Sequence, residues 1–370
     1  MMKVNYNCRH FRGEIPCKPH KKEGVHCQGC KYFEPIQERI LIIKLDAVGD
    51  VLRTTSILPG LKEKYPQAQI TWITKNESVP LFHGNPYVDR VYEVNDAALV
   101  LPNNEYDIVI NLDAAPLSSM LAAAARGDLK IGFSYDPDGF VYPLNKEAEE
   151  WFLMGIFDDI KKTNKKTYQS LALEICGLTP SDYSIQYLLT PEEIDISNKF
   201  AKQANIRDGE IIIGLNTGAG GRWEKKKWTE QGFIELIHLL RERLPACKVF
   251  LYGGFNEIDR NKRIIAETDV SVIDTGCNNN IREFAALLNL SSVVVTGDTL
   301  ALHLAIALRK KVIALVGPTS AAELELYGKG IKITADMPCL CCYRHTCEKK
   351  PDCMELIKPE EVFSAIQRII

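Results

Sequence analysis

The sequence predicts an α/β protein built from two Rossmann-like, doubly wound domains that face each other across a cleft, with a cysteine-rich appendage in front. Three observations carry this reading. Apolar runs of strand length alternate with helical runs along most of the chain, a pattern that builds parallel sheets wrapped by helices. The alternation occurs twice, and a Pro- and Asp-containing span at residues 177–208 separates the two series. The 370 residues, 46% of them hydrophobic, are enough to bury the cores of two domains.

The first series opens on Ile40-Leu-Ile-Ile, an uninterrupted apolar run suited to a strand buried on both faces. Strands are expected at 40–45, 69–74, 90–94, 107–112 and 130–133, with helices at 50–65, near 117–125 and near 166–176. The second series repeats this grammar, with strands at 211–216, 248–254, 271–274, 292–297, 311–316 and 331–334. Its helices fall at 229–244, 257–267, 280–288 and 299–308. The divisions are therefore a cysteine-rich segment 1–37, an N-terminal domain 38–190, a C-terminal domain 205–358 and a final helix 359–370.

Chemistry is expected where strands end, because open α/β sheets bind ligands at the carboxyl ends of their strands. Gly49-Asp50 follows the first strand and starts a helix, so Asp50 is either the acid of a crevice or a helix-capping aspartate. After strand 211–216, Thr217-Gly218-Ala-Gly-Gly and then Lys225-Lys-Lys227-Trp228 form a glycine-rich, basic loop of the kind that admits phosphate. That loop fits neither the Gly-x-Gly-x-x-Gly pattern nor the P-loop, which weakens nicotinamide and ATP-hydrolase readings. Glu257, beyond Gly253-Gly254, suits either ribose hydroxyls or the first turn of a helix. Asp298 caps the next strand–helix junction, where the amides of Thr299, Leu300 and Ala301 are open to phosphate oxygens. The alternative there is a plain cap, with His303 packed against the sheet.

Taken together, these motifs resemble glycosyltransferase family 9, the bacterial heptosyltransferases, from about Glu38 to the C-terminus. Lys44-Leu-Asp-Ala-Val-Gly-Asp50-Val-Leu-Arg-Thr-Thr is similar to the family's N-terminal signature. Asn216-Thr-Gly-Ala with Lys227-Trp228, Gly253-Gly254-x-x-Glu257 and Thr296-Gly-Asp298-Thr-x-x-x-His303-Leu-Ala resemble its donor-site series in order. The resemblance implies a GT-B fold and inverting transfer from ADP-L-glycero-β-D-manno-heptose to a lipopolysaccharide core acceptor at the cytoplasmic face of the inner membrane. It implies that Asp50 is the general base, that Lys227 holds the pyrophosphate, and that Glu257 contacts the ribose. Asp298 and Thr299 would meet sugar and phosphate, with Thr217, Gly218, Leu300 and His303 completing the donor site. Other classes compatible with the scaffold are an autotransporter-type protein heptosyltransferase, a nucleotide-sugar epimerase and a non-catalytic metal-binding assembly protein.

The net charge of −3 argues against a nucleic-acid partner. Locally, Lys3, Arg9, Arg12, Lys18, Lys21, Lys22 and Lys31 outnumber Glu14, Glu23 and Glu34, which makes either a solvated face or a dock for an anionic partner. A polar N-terminus and the lack of any apolar run of about 18 residues point to a cytoplasmic protein. No catalytic metal is expected, because Asp136-Pro-Asp138-Gly139 has the composition of a turn. Twelve cysteines in so long a chain suggest reduced thiols or metal ligands rather than disulfides. Cys8, Cys17, Cys27 and Cys30 end in a knuckle spacing suited to structural zinc, and four thiolates suit iron as well. Cys339, Cys342, Cys347 and Cys353 form a second expected set, with Cys341 beside them.

Overall fold

Two six-stranded sheets organise the chain in a computed structural model that describes residues 3–179, 183–220, 224–268 and 272–370. The first sheet comprises β1 (Arg39–Ile43), β2 (Gln69–Thr74), β3 (Arg90–Glu93), β4 (Tyr106–Asn111), β5 (Gly127–Tyr135) and β6 (Val141–Pro143), in the order β3-β2-β1-β4-β5-β6. All neighbours are parallel except β6, which folds back against β5 as a hairpin. The second comprises β7 (Ile212–Asn216), β8 (Lys248–Tyr252), β9 (Val272–Asp274), β10 (Val293–Gly297), β11 (Lys311–Val316) and β12 (Gly330–Thr334). Its order, β12-β11-β10-β7-β8-β9, is parallel throughout.

Both sheets start in the middle, wind to one edge and return to the other side of the first strand. That reversal leaves a crevice beyond the carboxyl ends of β1 and β4, and another beyond β7 and β10. Ile40 to Ile43 and Val293 to Val295 are fully buried, as uninterrupted apolar strands covered on both faces should be. One apolar core runs from Ile42, Trp72 and Phe133 through Leu52 and Tyr168 into Leu302, Leu304, Phe250 and Tyr252, so it spans both domains. A second core, on the far face of the second sheet, takes in Val362, Phe363 and Ile366 of the helix Pro359–Ile369. The final helix is thus packed into the C-terminal domain.

Three features differ from the sequence reading. The helix expected at 50–65 is two helices, Val48–Thr54 and Ile57–Lys64. Pro59 has no N–H to donate to a preceding turn, and the Thr55 hydroxyl bonds to the Leu52 carbonyl at 2.6 Å, so the backbone breaks between them. The helices Lys146–Ile156 and Pro191–Gln203 were not anticipated. The latter packs beside Ile281–Leu288 of the C-terminal domain, where Arg282 Nη2 donates to Glu193 Oε2 at 2.6 Å and to the Leu188 carbonyl at 2.7 Å. Ser271 of the strand expected at 271–274, residues 221–223 of the glycine-rich loop and residues 180–182 of the interdomain span lie outside the described residues.

Residues 3–37 form turns around a short helix, Lys18–Glu23, and an isolated bridge between Cys8 and Pro35. The segment docks through Arg9, which donates to Asp89 Oδ1 at 2.5 Å and to the Pro86 carbonyl at 3.2 Å, and through Gln37 N–H to the Gln67 carbonyl at 3.3 Å. These partners precede β3 and β2. The appendage therefore sits at the amino ends of the strands, away from the crevice.

Candidate active site

The chain leaves β1 through Lys44, whose Nζ lies 3.4 Å from Asp113 Oδ1 just beyond β4, both side chains being buried. Asp113 Oδ2 also accepts the N–H groups of Leu45 at 3.2 Å and Asp46 at 3.3 Å, which ties the two strand ends together. This loop delivers the helix Val48–Thr54 to the crevice. Asp50 is its third residue: Oδ2 accepts the Ala47 N–H at 3.3 Å, and Oδ1 lies 2.8 Å from Arg53 Nη2. The side chain therefore caps the helix and also faces the cleft. Burial pushes the Asp50 carboxyl up, but the Arg53 and Lys44 charges outweigh it and hold the group below the usual aspartate range. Arg53 is itself fixed by stacking 3.6 Å above the Tyr168 ring.

On the opposite side Asn216 closes β7 and donates to Thr296 Oγ1 at 3.0 Å and to the Gly218 carbonyl at 3.2 Å. A Cβ at Gly218 would stand 2.8 Å from Glu257 Oε2, so glycine lets the backbone approach that buried carboxylate. Glu257 Oε2 accepts the Gly254 N–H at 3.1 Å, and Oε1 pairs with Lys227 Nζ at 3.1 Å. Beyond β10, Asp298 and Thr299 lead into the helix Leu300–Ala307, which no described side chain caps. The Leu302 N–H bonds to the Thr299 carbonyl at 3.1 Å, and the amides of Leu300 and Ala301 are left as the anion site. Lys226 Nζ reaches Asp298 Oδ2 at 2.8 Å. Burial alone would raise the Asp298 carboxyl, yet the adjacent Lys226 holds it far below the ordinary value.

His303 lies one turn into that helix, with Nε2 4.0 Å from Asp298 Oδ1. Burial, reinforced by Arg53, brings its imidazole down to about 4 against the pull of the two aspartates, so it is neutral at physiological pH. Its Nδ1 is buried without a hydrogen-bond partner among the described residues.

These groups line one cavity of about 690 Å³, the size range of small-molecule sites. Asp50 and Arg53 come from the first domain. Of the residues expected from sequence, Gly218, Glu257, Asp298, Thr299, Leu300 and His303 come from the second. Two expected residues are not on the wall. Thr217 is turned inward, its hydroxyl donating to Asn261 Oδ1 at 2.6 Å, where it braces the loop. Of the two adjacent lysines, Lys226 enters the cavity while Lys227 backs Glu257.

Four titratable lining groups were not assigned from sequence: Arg53, Lys226, Glu323 and Tyr343. Arg53 had a signal, since it stands three residues after Asp50 on one helix face. Glu323 and Tyr343 had none, because they meet only through the fold. The Tyr343 hydroxyl lies 3.1 Å from Glu323 Oε1, and burial raises the Glu323 carboxyl.

The Asp136 to Gly139 segment is the tip of the β5–β6 hairpin, with Asp136 Oδ1 accepting the Asp138 N–H at 2.9 Å and Gly139 at φ 101°. All twelve cysteines are free thiols. Cys8, Cys17, Cys27 and Cys30 line one small void, and Cys342 and Cys347 lie near Cys353, whose thiol burial raises to about 11. Cys339 is half-buried. Among the described residues no three His, Cys, Asp or Glu side chains already stand at metal-holding spacing.

Two facing doubly wound domains with a cavity between their strand ends are the GT-B fold. The chain belongs to glycosyltransferase family 9 (heptosyltransferase), whose family model matches residues 98–352. It is 20% identical over 293 residues to the lipopolysaccharide core heptosyltransferase OpsX of Haemophilus influenzae, covering 76% of this chain and 80% of that protein. It is 25% identical over 322 residues to lipopolysaccharide heptosyltransferase 1 of Salmonella typhimurium, covering 79% and 92%. A family 9 glycosyl transferase from Veillonella parvula shares the fold with a TM-score of 0.73 at 19% identity, covering 91% of this chain and 98% of that one.

Proposed function

We propose that this glycosyltransferase moves a heptose from ADP-L-glycero-β-D-manno-heptose to a lipopolysaccharide core acceptor, with inversion at the anomeric carbon. The observation that carries the reading is the meeting of Asp50 from one domain with Lys226, Asp298 and an uncapped helix N-terminus from the other around one cavity. Lys226 takes the pyrophosphate role that the family resemblance suggested for Lys227. The relatives named for lipopolysaccharide heptose transfer support the donor sugar and the acceptor class.

In this mechanism the acceptor hydroxyl gives its proton to the Asp50 carboxylate as its oxygen bonds to the anomeric carbon. The bond from that carbon to the β-phosphate oxygen breaks on the opposite face, and ADP departs with the electron pair. Lys226 and the amides of Leu300 and Ala301 receive the charge growing on the diphosphate. Glu257 accepts from the ribose hydroxyls, and Phe255, 76% exposed at the cavity, offers a face for the adenine. Arg53 holds Asp50 ionised and aimed. The protein's own cations supply the leaving-group charge, so no step calls for a catalytic metal. Among the described residues no helix is long and apolar enough to cross a membrane.

Thermal stabilisation by a panel of ADP- and UDP-sugars, followed by determination of the product's anomeric configuration, tests the reading. Selective stabilisation by ADP-heptose and an α-linked product are expected. Preference for a UDP-sugar, or retention of the β configuration, contradicts it.

A further inference from the structure

We infer that residues 3–37 are a metal-folded module in which the thiolates of Cys8, Cys17, Cys27 and Cys30 hold a single zinc-type divalent ion. The segment has a defined course held by polar contacts and one isolated bridge, with no apolar core of its own. None of residues 3–37 is buried, and the six-residue helix Lys18–Glu23 is too short to persist alone. A chain this small needs a covalent or metal staple to fold. Disulfides do not supply it, because all four cysteines are free.

The backbone instead curls around each thiol. Phe11 N–H bonds to the Cys8 carbonyl at 2.9 Å, Lys21 N–H to that of Cys17 at 3.0 Å, Cys30 N–H to that of Cys27 at 3.4 Å, and Phe33 N–H to that of Cys30 at 3.2 Å. Gly24 and Gly29 adopt φ of 69° and 68°, which completes two of the turns. The result is that Cys8, Cys17 and the Cys27–Cys30 pair line one void of about 30 Å³. That space is small, since a single water needs about 10–15 Å³ on such a measure. The half-buried thiols do not yet stand at ligand spacing, and binding of the ion would draw them together.

The histidines are less suited. His10 Nε2 is engaged by Glu34 Oε1 at 3.0 Å, His20 Nδ1 by the Val25 carbonyl at 2.9 Å, and His26 stacks edge-on to His20. Four thiolates around a divalent ion match the tetrahedral structural site, and binding releases the thiol protons. The site lies at the amino ends of the strands, so its role is to fold and dock the module rather than to take part in transfer.

Elemental analysis of the full chain and of a Cys27→Ser/Cys30→Ser variant tests this, with limited trypsin digestion before and after a strong zinc chelator. The parent should hold one equivalent of zinc more than the variant, which also discounts any metal on the C-terminal cysteines. Chelation should loosen the backbone so that trypsin cuts after Lys21, Lys22 and Lys31 while residues 38–370 stay intact, and added zinc should restore protection. Equal zinc in parent and variant, digestion indifferent to the chelator, or an iron–sulfur absorption lost in the variant would each overturn the inference.

Discussion

Lysines 225, 226 and 227 each find a different carboxylate: Lys225 pairs with Asp352 at 3.0 Å, Lys226 with Asp298 at 2.8 Å and Lys227 with Glu257 at 3.1 Å. Three identical neighbours carry no mark of which one turns inward, so a lysine was legible by type and not by position. Lys226→Ala should weaken ADP-sugar binding and slow transfer on the order of 10²–10³-fold, whereas Lys225→Ala should leave both nearly unchanged. Titration of donor affinity and turnover in the two variants checks the assignment. His303 makes a second, pH-dependent case. Its folded value of about 4 lies below the ordinary 6.5, so the unfolded chain takes up this proton first as the pH falls. Between those limits stability must decline with acidification. The melting temperature of the parent should therefore fall more steeply from pH 6.5 to 4.5 than that of His303→Gln. Equal slopes would show that His303 does not titrate as described.

The helix Val48–Thr54 shows what an element adds to its residues. A strand running into Gly-Asp signalled both the helix and the acid, but not why the glycine stands there. A Cβ at Gly49 would lie 3.1 Å from His303 Cδ2 and 3.6 Å from the Leu300 Cα, so the two domains meet at this residue. Gly49→Ala should favour the helix locally while pushing Asp50 away from the opposite wall of the cleft. Because misplacement by about 1 Å can cost as much as 10²-fold, turnover should drop with donor affinity and melting temperature nearly preserved. Stopped transfer with an unfolded protein would instead assign Gly49 to stability. The missed helix Pro191–Gln203 did have a signature: Thr190-Pro-Glu-Glu193 forms a capping box with proline at its first position. Its location was not legible, because the Glu193–Arg282 pair that fixes it joins residues 89 apart in sequence.

At the scale of the whole molecule, the twofold alternation of strands and helices was enough to expect two doubly wound sheets, since local periodicity and connection rules decide that architecture. The facing crevices followed from the same grammar. Their closeness did not, because it depends on an apolar core that passes from one domain into the other and on contacts such as Gly49 with His303. Glu323 and Tyr343 reach the cavity from separate segments for the same reason.

The central claim is that Asp50, carried by one domain, removes a proton at a sugar whose diphosphate the other domain holds. Asp50→Asn keeps the side chain's shape and removes its basicity, so ADP-heptose affinity and single-turnover transfer measured on the same preparation test the claim directly. Donor affinity should stay within a few-fold of the parent while the transfer rate falls about 10²–10⁴-fold. Transfer at the parental rate, with donor bound as before, would contradict the account.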